Sequence, residues 1–138
     1  REVYKQKALV KDYLSPYMDK IAQLKSPVAK MGLQVAIFYY VWEQQLKKYD
    51  WLTVTHEDLC TAPIERFREL YNKLDLQWSN EVEQYVLQSN TPGKGFETKR
   101  IAADEIDKWK RMLSGEIIEE IRKGYSILPL THYHEFQK

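Results

Sequence analysis

Apolar residues recur along this chain mostly at helical spacing. Val10, Leu14, Tyr17, Ile21 and Leu24 fall on one helical stripe, with Pro16 set to kink or split it. Ser26-Pro27 reads as an N-cap followed by a first-turn proline. Val35, Phe38, Tyr39, Trp42 and Leu46 then make a wide apolar face, the strongest helix signal in the chain, and Tyr49-Asp50 ends it. Leu52, Thr53, Val54 and Thr55 form a short β-branched run, which predicts a strand over 52–55. His56-Glu57-Asp58-Leu59 follows as an acidic turn. Thr61 caps the next helix and Pro63 lies in its first turn; Phe67, Leu70, Tyr71 and Leu74 are its buried stripe. Ser79 caps a short helix bearing Val82, Tyr85 and Val86.

Ser89-Asn90-Thr91-Pro92-Gly93-Lys94-Gly95 is turn-rich and predicts a loop. Ile106, Trp109 and Leu113 share a later helical face. Ser114 starts a last helix with Ile117, Ile118 and Ile121 inward and Gly124 at its stop, and Pro129 bars easy helix continuation in the tail. The expectation is about six helices and one strand. One strand cannot make a sheet, and buried unpaired peptide groups are costly. Residues 52–55 are therefore expected to join a sheet supplied by sequence outside this chain. The alternative is an edge hairpin with the tail around 127–130.

The composition narrows the function classes. A chain of 138 residues predicts a single domain, and 43% hydrophobic with 30% charged residues is ordinary for a globular protein. The net charge of +1 gives no broad attraction to nucleic acid, although a balanced total leaves room for a local anion site. Cys60 is the only cysteine, so no internal disulfide forms; that fits a cytoplasmic setting. No apolar run approaches the roughly 18 residues of a membrane span. The start, Arg1-Glu2-Val3-Tyr4-Lys5, has neither a signal peptide's apolar segment nor an initiator Met, so the chain reads as a piece of a longer or processed protein.

The ordered set of these features resembles the C-terminal half of sulfotransferases dependent on 3′-phosphoadenosine 5′-phosphosulfate. A helix with Trp42 precedes a strand that runs into His56-Glu57-Asp58-Leu59, similar to the family's Tyr-Glu-Asp-Leu turn. A proline-started helix carries Phe67 and Leu70, and Leu74-Asp75-Leu76 stands where the family often has Leu-Gly-Leu. Lys108-Trp109-Lys110 leads through Leu113-Ser114 into an Ile-rich last helix, like the family's Trp-Lys segment. The likeness spans roughly residues 28 to 125. It implies an α/β fold, this chain being the mostly helical C-terminal part of a P-loop-type three-layer sulfotransferase with few strands of its own. It implies transfer of a sulfo group from the nucleotide donor to an acceptor hydroxyl or amine on a small molecule or glycan, with no metal. The family's phosphate loop and usual catalytic base belong to its first half, which has no counterpart here, so the isolated segment is expected to be inactive. His56 replaces the turn's usual Tyr. Ala102-Ala103 occupy the spacing of the family's basic-Lys-Gly loop, and the nearest basic loop, Lys94-Gly95 with Lys99 and Arg100, is displaced from it.

The candidate binding residues are His56, Lys94, Gly95, Lys99 and Arg100. His56 can stack on or hydrogen-bond to adenine, or it can be a half-buried strand histidine. Glycines let backbone N–H groups approach an anion, and Lys94 and Lys99 add charge; the plain alternative is an ordinary surface loop. Arg100 is the better phosphate ligand, because its planar fork matches phosphate oxygens. Glu57 and Asp58 can act as acid and base, or brace a turn. Trp42 and Trp109 can be core anchors or ligand stackers. His132-x-His134 could supply half a metal site, and Cys60 has no visible activating base. Two further functions stay open. One is a non-enzymatic helical module that binds a partner through exposed Trp42 and Tyr39. The other is a degenerate sulfotransferase-like subunit that completes a site with a second chain.

Overall fold

Helical periodicity governs the described chain. The fold comes from a computed structural model that describes residues 2–94, 99–133 and 136. The chain divides into two compact units: unit 1 is Arg1–Trp51 with Leu113–Lys138, and unit 2 is Leu52–Met112.

Unit 1 opens with a mixed helical run. A 3-10 turn (Val3–Lys5) is followed by α1 (Lys7–Leu9), a π-helical turn (Val10–Leu14), a 3-10 turn (Ser15–Tyr17) and α2 (Met18–Gln23). Pro16 reshapes this run rather than splitting it. It has no N–H to give the ladder. The hydrogen bonding slips instead to wider spacing, with Ser15 N–H reaching Val10 O and Ser15 Oγ donating to the same oxygen at 2.8 Å. Leu14 and Ile21 are buried, so the predicted stripe is the core-facing one.

The two long elements of unit 1 are α3 (Pro27–Leu46) and α9 (Gly115–Tyr125). Both caps read from the sequence form: Ser26 Oγ accepts Ala29 N–H and Ser114 Oγ accepts Ile117 N–H, each at 3.3 Å. The two helices meet backbone to backbone. A Cβ on Gly124 would overlap the carbonyl oxygen of Ala29, and one on Gly32 would overlap that of Ile121. Gly124 reads in the sequence as a helix stop; it lies one residue inside the helix and is there for this close approach.

That crossing corrects the predicted face of α3. Its buried positions are Ala29, Gly32, Leu33, Ala36, Ile37 and Glu43, whereas Val35 and Phe38 are exposed and Tyr39, Trp42 and Leu46 are half-buried. Small residues let α9 come close, so the bulkier stripe is turned outward. On α9, likewise, Ile117 is exposed and Ile118 and Ile121 are half-buried. The core joins Tyr4, Leu14, Ile21, Leu33, Ala36 and Ile37 to Tyr125, Leu128 and Leu130.

Glu43 holds the C-terminal segment to α3. It is only 6% exposed. Its carboxylate accepts Thr131 N–H at 3.0 and 3.1 Å, His132 N–H at 2.7 Å, and an interaction with His132 Nδ1 at 3.1 Å. Burial alone would raise the carboxyl, but these donors, the His132 backbone first, outweigh it and hold it below the ordinary value of 4.5. Arg122 fixes the same segment further on, its Nε donating to Phe136 O at 3.0 Å.

Unit 2 contains α4 (His56–Thr61), α5 (Pro63–Lys73), α6 (Asn80–Ser89), α7 (Ala102–Glu105) and α8 (Lys108–Met112). The predicted strand at 52–55 does not form, and no strand occurs among the described residues. Leu52, Thr53 and Val54 make no backbone hydrogen bonds there. β-branching favours an extended chain, but without a neighbour to supply a ladder it gives no sheet. The hairpin with 127–130 is absent as well. Glu57 and Asp58 are in the first helical turn of α4 rather than in a free turn, because Thr55 Oγ1 accepts Asp58 N–H at 3.1 Å and caps the helix. Thr61 does not cap α5; its hydroxyl donates back to Glu57 O at 2.8 Å. No helix among the described residues is long and apolar enough to cross a membrane.

Two outcomes follow for unit 1. Gly124→Ala should cost about 1–3 kcal/mol, because its methyl meets backbone rather than a movable side chain. Gly115→Ala, with nothing within 4 Å of the added Cβ, should be neutral or slightly stabilising; urea unfolding of both variants followed by circular dichroism checks the contrast. Glu43 adds stability that is complete above the unfolded value of 4.5 and drains away as pH falls through the lower folded value. Glu43→Gln should cost about 1–3 kcal/mol at neutral pH and flatten that acid limb, read from unfolding midpoints across the pH range.

Candidate functional site

Unit 2 has little core. Cys60, at 8% exposure, is its one buried hydrophobic side chain among the described residues. Half-buried helix faces instead surround an open cleft of about 500 Å³. Leu59, Pro63, Phe67, Tyr71, Val82 and Val86 give it an apolar wall; His56, Cys60, Ser89, Asn90, Arg100 and Glu105 supply polar groups. That mix of apolar lining and a few convergent polar atoms suits a small organic ligand.

Local chemistry fixes the walls. α5 ends in a Schellman motif, with Leu76 N–H on Tyr71 O at 2.9 Å, Asp75 N–H on Asn72 O at 3.2 Å, and Asp75 at φ 53°. This turn delivers Trp78, whose Nε1–H donates to Glu83 Oε2 at 2.9 Å. Arg68 of α5 donates to the same oxygen at 2.6 Å and lies over the Trp78 ring, 5.5 Å from its centroid. The Trp78 and Arg68 donors keep the Glu83 carboxyl below its usual range. Together they clamp α5 to α6, the two helices that carry Phe67, Tyr71, Val82 and Val86.

The opposite rim is tied to the end of α6. Ser79 Oγ caps the start of that helix by accepting Val82 N–H at 3.3 Å. At its far end Asn90 Oδ1 accepts Ala102 N–H at 2.8 Å, and Ser89 O accepts Arg100 N–H at 3.0 Å. Gly93 lets the loop pinch here, since a Cβ would overlap Lys99 O. Ala102-Ala103 thus open α7 behind Arg100.

The sequence-selected residues are only partly brought together. His56 and Arg100 both line the cleft. Lys94 and Lys99 are exposed and do not line it. Gly95 lies outside the described residues. Arg100 Nη1 donates to Lys99 O at 2.6 Å, so its fork is pre-positioned by the loop it belongs to. Cys60, Asn90 and Glu105 were not foreseen as cleft residues. Asn90 carried a signal, as an Asn at a helix end before a turn; Glu105 carried none.

His56 and Cys60 are one helical turn apart, with Sγ 3.4 Å from Nε2. This is not an activated nucleophile. Burial first, and then the Glu57 and Glu105 carboxylates, push the thiol up from its ordinary value. Trp42 packs edge-on to the His132 ring in unit 1, and Trp109 of unit 2 does not line the cleft. No group of three or more His, Cys, Asp or Glu among the described residues could hold a metal ion, and His134 lies outside them. No family model, curated protein or solved structure matches the chain.

In the native protein Cys60 should react with an aromatic disulfide reagent at least about tenfold more slowly than after unfolding in urea. The absorbance of the released thiolate reads both rates.

Proposed function

We propose that unit 2 is part of the nucleotide-binding wall of a sulfotransferase-like enzyme, and that its cleft takes 3′-phosphoadenosine 5′-phosphosulfate. One observation carries this reading: His56 and Arg100, whose chemistry suits adenine and phosphate, lie on the same apolar cleft although far apart in sequence. The aromatic and aliphatic wall suits a planar base, His56 can hydrogen-bond to it, and the Arg100 guanidinium suits phosphate oxygens. The unpaired peptide groups of Leu52, Thr53 and Val54 support the companion idea that this stretch joins a sheet supplied from elsewhere.

The reaction would be an in-line displacement. The acceptor oxygen or nitrogen forms a bond to sulfur as the sulfur–oxygen bond to the phosphate breaks. A base takes the acceptor's proton, and cations stabilise the charge left on the phosphate oxygen. Such chemistry rests on positioning and electrostatic stabilisation. The base is unassigned, and the segment alone is proposed to have no transfer activity. The acceptor is a small molecule or glycan on the family analogy.

A helical interaction module is the second reading. Met31, Val35 and Phe38 support it, being 68%, 47% and 60% exposed along one side of α3. Tyr39 and Trp42, the residues first expected to carry it, do not: Tyr39 packs on the core and Trp42 is half-buried.

Calorimetry with adenosine 3′,5′-bisphosphate separates the readings. Saturable binding is expected, and Arg100→Ala should weaken it about tenfold, or about 1.4 kcal/mol. Absence of binding, or equal affinity in the variant, would remove the nucleotide reading.

A further inference from the structure

Unit 1 has a second cavity, of about 490 Å³, which the proposed reaction does not use. Tyr40, Gln44, Lys47, Thr131 and His132 bring polar groups to it, and Leu46 and Pro129 complete the wall. Its one carboxylate, Glu43, is already engaged, because Thr131 N–H, His132 N–H and His132 Nδ1 converge on it. What remains for a ligand is chiefly donors and positive charge.

Each group has a reason to act as a donor. An ionised carboxylate can only accept, so the proton of the contact with Glu43 is on His132 Nδ1. The imidazole is also held by Trp42, ring centroids 4.7 Å apart. Nε2 is then the nitrogen without a hydrogen-bond partner among the described residues. In a protonated ring both nitrogens donate, and Nε2 is then the one left to reach a ligand. Lys47 Nζ donates to Gln44 Oε1 at 3.0 Å, which occupies the amide oxygen and leaves the amide nitrogen for other contacts. Tyr40 stays a neutral phenol, pushed up to about 12 by its hydrogen bond to Tyr17 and by burial.

We infer that this cavity is a binding site for the anionic oxygen head group of a small ligand, a phosphate ester or a carboxylate, with the Lys47 ammonium as its charged contact and the His132 ring beside it. Tethering of the C-terminal segment accounts for Glu43 and the two backbone N–H groups. It does not account for an imidazole fixed at the edge of an open cavity, with an ammonium and further donors around it. The site stands on unit 1 alone and does not depend on nucleotide binding in unit 2.

The test uses the whole chain and nitrogen-15 spectra of the histidine side chains, with the His132 signals assigned from His132→Asn. Inorganic phosphate and acetate are titrated separately at constant ionic strength, balanced with sodium chloride. The His132 nitrogens should shift and saturate with at least one of the two anions. Saturation with phosphate alone identifies a phosphate-ester site, and saturation with acetate extends it to carboxylates. Lys47→Gln, at an exposed position, should weaken binding about tenfold without lowering the unfolding midpoint. No saturable shift with either anion, or unchanged affinity in Lys47→Gln, would overturn the assignment.

Discussion

Two carbonyl oxygens set the architecture of unit 1. Ala29 O and Ile121 O stand where side chains would normally be, and only glycine at 124 and 32 leaves them room. Because α3 and α9 approach this closely, their small residues become the interior and their larger ones are displaced. The core then depends on residues from both ends of the chain: Leu14 and Ile21 before α3, and Tyr125, Leu128 and Leu130 at and after the end of α9. Glu43 belongs to the same arrangement, since it is buried where the last segment returns over α3. Interiors packed to crystal-like density transmit such a constraint over a whole unit.

Unit 2 is organised differently. With Cys60 as its one buried apolar side chain among the described residues, it relies on polar ties between successive elements. The Arg68–Glu83–Trp78 cluster joins two helices, and Asn90 and Ser89 hold the return of the chain at Arg100 and Ala102. These ties leave an apolar hollow in place of a filled centre. A hollow bordered by a few fixed polar atoms is poor packing for stability and good preparation for a ligand.

Local signals were the legible part of the sequence. Ser26, Ser79 and Ser114 cap as their spacing indicates, because a side-chain oxygen and an N–H three residues on need nothing else. The spacing along Val10, Leu14, Tyr17 and Ile21 also identified a core face. Features set by distant contacts were not legible. Thr55 reads as the end of a strand until α4 is seen to use its hydroxyl as a cap. Val35 and Phe38 read as core until Gly32 and Gly124 show which side of α3 is covered. Of the candidate site, His56, marked by its place in the acidic turn, and Arg100, marked by its planar fork, share a cleft, whereas Lys94, a cation between glycines, and Lys99, a cation beside Arg100, do not line it. Glu43 is an ordinary charge in the sequence; only Thr131 and His132, close to the other end of the chain, give it a purpose.

Unit 2 interrupts unit 1 in the chain, and this bears on how the molecule forms during synthesis. Within unit 2, α4 with α5 and α5 with α6 close short loops and can form early, and α4 meets α7 across a longer stretch that still lies inside the unit. Unit 1 needs α9, on the far side of the whole insertion, before α3 has its partner. Until the last stretch emerges, the glycine-bearing side of α3 faces water with its backbone exposed. The newborn chain can therefore begin to order its middle while its first third is still open, and that open interval is when a chaperone or a neighbouring nascent chain would most readily engage it.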